Sequence, residues 1–213
     1  MKFDILTIFP EMFSAKGGSY LDFSILKRAQ EKKLISIKAH NIRAYTKDKH
    51  RKVDDRPFGG GAGMVMMFQP IADAVKKLKA KKRKTRVILF STRGRTFDAK
   101  AAQRLAKYDQ LIFICGRYEG VDERVADAIA DEEISIGDFV LTGGELPAMV
   151  VIDSVSRQIP GVLGKAESLE EEQGSYKTYT RPEVIVWNKK KFKVPKVLTE
   201  GNHKKIQEWR SSN

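Results

Sequence analysis

The chain has 213 residues, 41% hydrophobic and 31% charged. That balance permits a sizeable buried core and excludes a disordered polymer. Forty Lys and Arg stand against 27 Asp and Glu, a formal charge of +13; such a surface attracts polyanions, and nucleic acid is the leading partner because neutralised phosphates release counterions.

The first apolar run, KFDILTIF, predicts a strand. Asp4, Pro10 and Glu11 interrupt the apolar start, which has no basic leader and no small-residue cleavage site and so does not read as a signal peptide. SYLDFSILKRAQEKK carries apolar residues at helical spacing, and LISIKAH predicts a second strand. Residues 40–68 are polar, then basic, then glycine-rich, and read as one long loop, a length that in compact domains points to function or disorder. QPIADAVKKLK predicts a helix, RVILFS a strand, AKAAQRLAKY a helix, QLIFIC a strand, DERVADAIA a helix and EISIGDFVL a strand. ELPAMVVIDSVSRQI predicts a long, mostly apolar helix. Alternation of this kind gives an α/β domain with a largely parallel sheet, and near-continuous apolar strands fit burial on both faces. After Pro160 the texture turns to Gly, Glu, Ser and Thr, a linker; NHKKIQEWR then predicts a short helix with Asn202 as its N-cap.

Two basic runs stand out, KKLKAKKRKTR from Lys76 to Arg86 and NKKKFKVPK near the C-terminus. Each is either a solvated surface or a phosphate-contacting patch. The single cysteine, Cys115, sits in the run LIFIC and reads as a small core residue. No run approaches a membrane span, and the cytoplasm is the expected compartment, with neither membrane nor DNA as partner.

Three glycine-bearing stretches follow or flank predicted strands: STRGR from Ser91, GRYEGVD from Gly116, and the pair Gly143–Gly144. Taken singly each is a tight turn. Converging at the carboxyl ends of neighbouring strands, they would form one small-molecule pocket, with backbone N–H and C=O groups exposed where side chains are missing. Neither G-x-x-x-x-G-K-[ST] nor a G-x-G-x-x-G after a strand is present, so neither a P-loop nor an ordinary dinucleotide fold has support. G-x-S-x-G is missing too, and three scattered histidines with one cysteine make no zinc site. The long loop offers HRKVDDRPFGGGAGMVMM: cations for phosphate, Asp54 or Asp55 to accept from a base edge such as guanine N–H groups, and glycines that admit a flat base. A flexible hairpin packed by Met64, Met66 and Met67 is the plainer reading.

FDILTIFPEMF, VDDRPFGGGAGMVM, CGRYEGVDERV, SIGDFVLTGGELPAMVVIDSVSRQIPGVLG and YTRPEV…VPKVL…GNHKKIQEWR strongly resemble the bacterial tRNA (guanine(37)-N1)-methyltransferases. The resemblance implies a SPOUT-type α/β fold with a deep trefoil knot, a homodimer, tRNA as substrate, and S-adenosylmethionine as methyl donor. It implies an organisation of a knotted cofactor-binding domain at 1–160, a flexible linker at 161–178 and a C-terminal tRNA-binding segment at 179–213, a short helical appendage. It places Ser91, Gly116, Tyr118, Glu119, Ser135, Ile136, Gly137, Asp138, Phe139, Val140, Leu141, Gly143 and Gly144 on the cofactor. His50, Lys52, Asp54, Arg56, Gly59, Gly60, Gly61 and Gly63 fall on the RNA. Arg157 matches the family's catalytic arginine, and Glu119 a glutamate important to activity. The family also uses Mg²⁺, which no motif here reveals.

The chain departs from the family at the expected base and in the length of its C-terminal part. The expected base is an acid in a stretch like GLLDxPxYTRP, and here the stretch is EEEQGSYKTYTRP, which puts Ser175 at that position and makes the linker shorter. Three explanations stand: one of Glu170, Glu171 or Glu172 serves as the base, with Glu172 the choice; another base acts through water; or the chain methylates slowly. The rival functions are a catalytically weak RNA-binding protein that keeps the cofactor fold, and a methyltransferase of the same class acting on another RNA. The segment after the IQEWR helix is short for the family, so the basic runs 76–86 and 189–196 are expected to supply phosphate contacts.

Overall fold

The computed structural model describes residues 1–13, 18–163 and 176–212, in two units, Met1–Lys165 and Ala166–Asn213. The first unit is built on a five-stranded sheet of β1 (Lys2–Thr7), β2 (Ser36–Asn41), β5 (Thr85–Thr96), β6 (Gln110–Ile114) and β7 (Glu132–Ser135). Its strand order is β2-β1-β6-β5-β7 and every pairing is parallel. Parallel neighbours need crossovers, and these carry α1 (Ser24–Glu31), α2 (Phe68–Leu78), α3 (Ala99–Leu105) and α4 (Arg124–Ala128); α5 (Glu145–Arg157) follows the last strand of the sheet.

Strand alternation sorts the apolar residues into two layers. Phe3, Ile5, Ile88, Phe90, Leu111 and Phe113 pack with residues of α1, α3 and α5. Leu6, Val87, Leu89, Ile112 and Ile114 pack with Ile71, Ala74 and Val75 of α2 and Val125 of α4. All five residues of the central strand β6 are buried, which is why Leu111 to Ile114 are a continuous apolar run.

Several expected elements differ in extent. The first helix is shorter than its periodicity: Ser19 caps a 3-10 turn at Tyr20–Asp22, Phe23 is extended, and α1 starts only at Ser24. The long loop carries a 3-10 turn at Ile42–Tyr45 and two short antiparallel strands, β3 (Asp54–Asp55) and β4 (Val65–Met66). EISIGDFVL is a strand only to Ser135, whose Oγ accepts from Gly137 N at 3.2 Å and donates to Gly137 O at 2.9 Å, turning the chain. In the basic run 76–86, three cations are engaged within the fold: Lys77 over the Tyr45 ring, Lys84 over Tyr108, and Arg86 with Glu132 at 2.9 Å.

In the second unit β8 (Val184–Trp187) and β9 (Lys190–Lys193) form an antiparallel hairpin, and α6 (His203–Ser212) follows. Asn202 Oδ1 accepts from Lys205 N at 3.2 Å, the expected N-cap. The hairpin is not legible in the sequence, because VIVWNKKKFK does not alternate cleanly and its turn, Asn188–Lys189, has no glycine.

The amino-terminal half of the sheet is pinned by Asp4, fully buried on β1. It accepts from His40 Nε2 at 2.7 Å, Gln110 Nε2 at 2.6 Å and Lys2 Nζ at 2.9 Å, joining β2, β1 and β6. Burial pushes its pKa up, but the bonds from His40, Lys2 and Gln110 outweigh burial and hold the carboxyl below its ordinary 3.8. Because the folded pKa is the lower one, the stability it contributes is complete above the ordinary value and is lost as pH falls through the folded value. Asp4→Ala is expected to cost about 3 kcal/mol at pH 7, since it strands buried donors. A urea midpoint series from pH 7 to pH 3 should show a smaller acid loss in the variant than in the parent.

Candidate functional site

The carboxyl ends of β5, β6 and β7 open on a cavity of about 480 Å³. Pockets of that size hold small organic ligands. It is lined by the continuation of β5 at Ser91, Thr92 and Arg93, by 116–123 after β6, and by 133–144 around the end of β7 except Asp138. Ser91, Gly116, Tyr118, Glu119, Ser135, Ile136, Gly137, Phe139, Val140, Leu141, Gly143 and Gly144 all line it. Asp138, expected with them, is exposed and does not: the turn at Ser135–Gly137 ends the strand before it. The apolar side chains of Phe139, Val140 and Leu141 line the cavity yet stay exposed, 85% in the case of Val140.

Two close backbone approaches shape this cavity. Gly144 N donates to Gly116 O at 3.0 Å, and a methyl group on Gly144 would lie 2.7 Å from Cys115 Cα. A methyl group on Gly94 would lie 2.6 Å from the Glu133 carbonyl carbon. Both glycines are therefore required by packing of main chain on main chain. Gly94 sits where β5 bends around β7: Ile134 is paired with Phe90 and again with Arg95, five residues on.

An ion pair joins the loops. Glu145, the first residue of α5 and 1% exposed, accepts from Arg117 Nε at 2.8 Å and from Thr7 Oγ1 at 2.6 Å. Arg117 also donates to Thr142 O at 3.2 Å and stacks over the Phe9 ring. Arg117 is not among the expected site residues, although it lies inside CGRYEG; the sequence shows the charge but not that its partner lies 28 residues away. Burial first, and the Glu145 carboxylate second, push the Cys115 thiol well up, so Cys115 is the inert core residue expected. Among the acids that line the cavity, Glu133 has its Oε2 buried without a protein hydrogen-bond partner among the described residues.

The long loop is sewn to the same place. Glu119 N donates to Met64 O at 3.0 Å, Met66 N to Gly120 O at 2.9 Å, and Asp122 N to Met66 O at 2.9 Å. Gly63 has φ +82° and packs against the Glu119 side chain, with no room for a Cβ. Between β3 and β4 the segment 58–63 is exposed, with Gly59, Gly60 and Gly61 in the left-handed region and Phe58 wholly open to solvent. Asp54 is half-buried on β3, and Arg56 is exposed. His50 and Lys52 are exposed; their backbone N–H groups are held by Asp48 Oδ2, and their side chains point to no cavity residue in any described contact.

Arg157 lies elsewhere. It ends α5, and twelve residues at helical rise put it roughly 18 Å from Glu145. It lines a separate, shallow depression with Tyr20, Leu146, Met149, Val150, Asp153 and Ser154, where Tyr20 OH donates to Asp153. Glu170, Glu171, Glu172 and Ser175 lie outside the described residues. Among the described residues no group of three or more His, Cys, Asp or Glu side chains gathers to hold a metal ion.

Residues 1–213 match the family described as tRNA (Guanine-1)-methyltransferase TrmD. Among similar curated proteins, a tRNA (guanine-N(1)-)-methyltransferase of Ruminiclostridium cellulolyticum is 51% identical over 99% of this chain and 89% of its own. One of Geobacter sulfurreducens is 52% identical over 99% and 84%, and one of Carboxydothermus hydrogenoformans 53% over 99% and 81%.

If main-chain contact at Gly144 builds the cavity, a single methyl group there must force the two loops apart. Gly144→Ala is expected to destabilise the fold by about 1–3 kcal/mol, the range for overpacking. The readout is a lowered urea midpoint with unchanged m-value. An unshifted midpoint would show that the loops separate freely.

Proposed function

The chain belongs to the tRNA (guanine-1)-methyltransferase family, and from that premise we propose that it transfers a methyl group from S-adenosylmethionine to N1 of the guanine at tRNA position 37. The observation that carries the reading is the cavity at the ends of β5, β6 and β7, walled by peptide groups and by Phe139, Val140 and Leu141. The residues fit the cofactor. The exposed apolar side chains of Phe139, Val140 and Leu141 offer a face to a purine ring, and the orphaned Glu133 oxygen accepts from a hydroxyl or amine. When bound, S-adenosylmethionine supplies an electrophilic methyl on its sulfonium.

The remaining chemistry falls to the protein. Guanine N1 carries a proton and attacks only once that proton is taken, so a carboxylate base is needed, and negative charge then gathers at O6. Arg157 takes the O6 role, and Glu172, outside the described residues, the base. Asp54 accepts from the guanine edge, and Arg56, Lys52 and His50 meet neighbouring phosphates. Glu119 faces Gly63 across the junction of the two loops, where cofactor and base meet.

A second copy of the chain completes the site. The buried side of α5 carries Ala148, Val151, Ile152 and Val155, while Leu146 and Val150 on its other side are 52% and 47% exposed. Apolar side chains left open beside Asp153, Ser154 and Arg157 form a mixed face that a second copy would cover. A homodimer over this face would supply the arginine that one chain holds roughly 15 Å along α5 from Pro147 in its own cavity wall. The knot is part of the same reading; the break in register between Phe90 and Arg95, both paired with Ile134, marks where β5 departs from a regular strand. The domain bounds 1–160, 161–178 and 179–213 and a cytoplasmic location complete the reading; among the described residues no helix is long and apolar enough to cross a membrane.

Two assays test it. Methyl transfer to tRNA with guanine at position 37 should exceed transfer to the adenine variant by roughly 10⁴-fold, the discrimination of a site built to hydrogen-bond its substrate. Cofactor binding without turnover would favour the RNA-binding reading, and methylation of another RNA alone would favour the other methyltransferase. Arg157→Ala should lower kcat by roughly 10²–10³-fold while calorimetric cofactor affinity stays near the parent's; unchanged turnover would remove Arg157 from the chemistry. Among Glu170, Glu171 and Glu172, only Glu172→Gln should slow the single-turnover rate.

A further inference from the structure

The β8–β9 hairpin is a feature that methyl transfer does not account for. Its register is Val184↔Lys193, Ile185↔Phe192, Val186↔Lys191 and Trp187↔Lys190. Residues directly opposite in an antiparallel pair share a face, as do residues two apart along a strand. One face therefore carries Ile185, Trp187, Phe192 and Lys190. The other carries Val184, Val186, Lys191 and Lys193. Trp187 is 69% exposed and Phe192 50%. A two-stranded hairpin with a largely unburied aromatic face is marginal on its own, and Trp187 in particular is left open for contact.

The turn gives the ribbon a defined shape. Asn188 and Lys189 have φ of 50° and 62°, both left-handed, the signature of a two-residue type I′ turn. Trp187 and Lys190 are thus held side by side at the tip.

We infer that this hairpin is a stacking platform for an unpaired base of the RNA substrate, with Trp187 as the principal ring, Phe192 beside it, and the lysines on adjoining phosphates. Charge complementarity selects the occupant. Val184 to Lys193 holds four lysines and no acid. A second copy packed hairpin on hairpin would set lysine against lysine, and lysines along an exposed ribbon oppose edge-to-edge pairing. RNA brings both of the matching surfaces, a π-face for the indole and a phosphate for the ammonium. The two faces then divide the work: the aromatic one grips its base whatever the ionic strength, and the grip of Lys191 and Lys193 on phosphate weakens as salt rises.

The inference rests on the tRNA reading, and the full-length protein tests both. Equilibrium binding of tRNA is measured across a salt series for the parent, Trp187→Ala, Trp187→Phe and Lys191→Glu/Lys193→Glu. Trp187→Ala is expected to weaken binding roughly 5- to 150-fold at every salt concentration with its salt slope unchanged, and Trp187→Phe to restore most of it. The double charge reversal should reduce the slope of log Kd against log salt by about 2. If the parent binds and methylates tRNA but all variants match it in Kd and slope, the platform is refuted and the enzyme reading stands. If the parent neither binds nor methylates tRNA, both fall. If Trp187→Ala changes the sedimenting mass and leaves tRNA affinity alone, the face belongs to a second copy and the inference is wrong.

Discussion

Gly144 N–H against Gly116 C=O, with no side chain on either residue to hold the two main chains apart, is the contact on which the rest of the site is built. It joins the end of the central strand to the start of α5 and leaves the loop 136–143 to arch over the space between. Glu145 follows at once and is buried with Arg117 and Thr7, so the first turn of α5 is tied to β6 and β1 as well. A buried pair of this kind adds little net stability over an apolar replacement, but losing one partner is expensive. Its consequence is register. The ends of β1 and β6 cannot slide against α5 without stranding the Glu145 carboxylate, and the loop at 116–123 that lines the cavity inherits that fixity.

Methyl transfer asks for two bound reactants in line, and much of the barrier is met by holding them so. The backbone bonds between 64–66 and 119–122 supply a physical route for this. Met64 O and Met66 link the long loop to the segment that lines the cavity, so movement of one loop carries the other. The glycines at 59–61 lie beyond that seam and have no such ties, which leaves the tip free to adapt to a base while its root stays in place.

The layered sheet can be read from the sequence because burial on both faces writes itself as continuous apolar runs, as in QLIFIC and RVILFS. Pocket residues are legible where a motif is long: Gly116 to Glu119 and Ile136 to Gly144 line the cavity, with Asp138 turned away. What fails to show are relations between distant residues. Arg117 and Glu145 each look like ordinary surface charges until the fold buries them together. Ile134 gives no sign that one strand meets it twice. The β8–β9 hairpin is hidden for a local reason: its turn uses Asn188 and Lys189 in a left-handed conformation for which glycine would have been the sequence signal.

One chain does not gather the whole proposed machinery. The cavity sits at the N-terminal end of α5 and Arg157 at its C-terminal end, on a face where Leu146 and Val150 are open. A straight helix cannot bring its two ends together, so no small motion within the first unit closes that distance. Association does, if the second copy offers its arginine across the shared face. Folding and activity are then separable: the sheet and the Glu145 network are complete in a monomer, but the O6 donor is not. Catalysis on this scheme is governed by protomer concentration as much as by the stability of either half, and the scheme gives the exposed Leu146 and Val150 of α5 a part in association that packing within one chain does not give them.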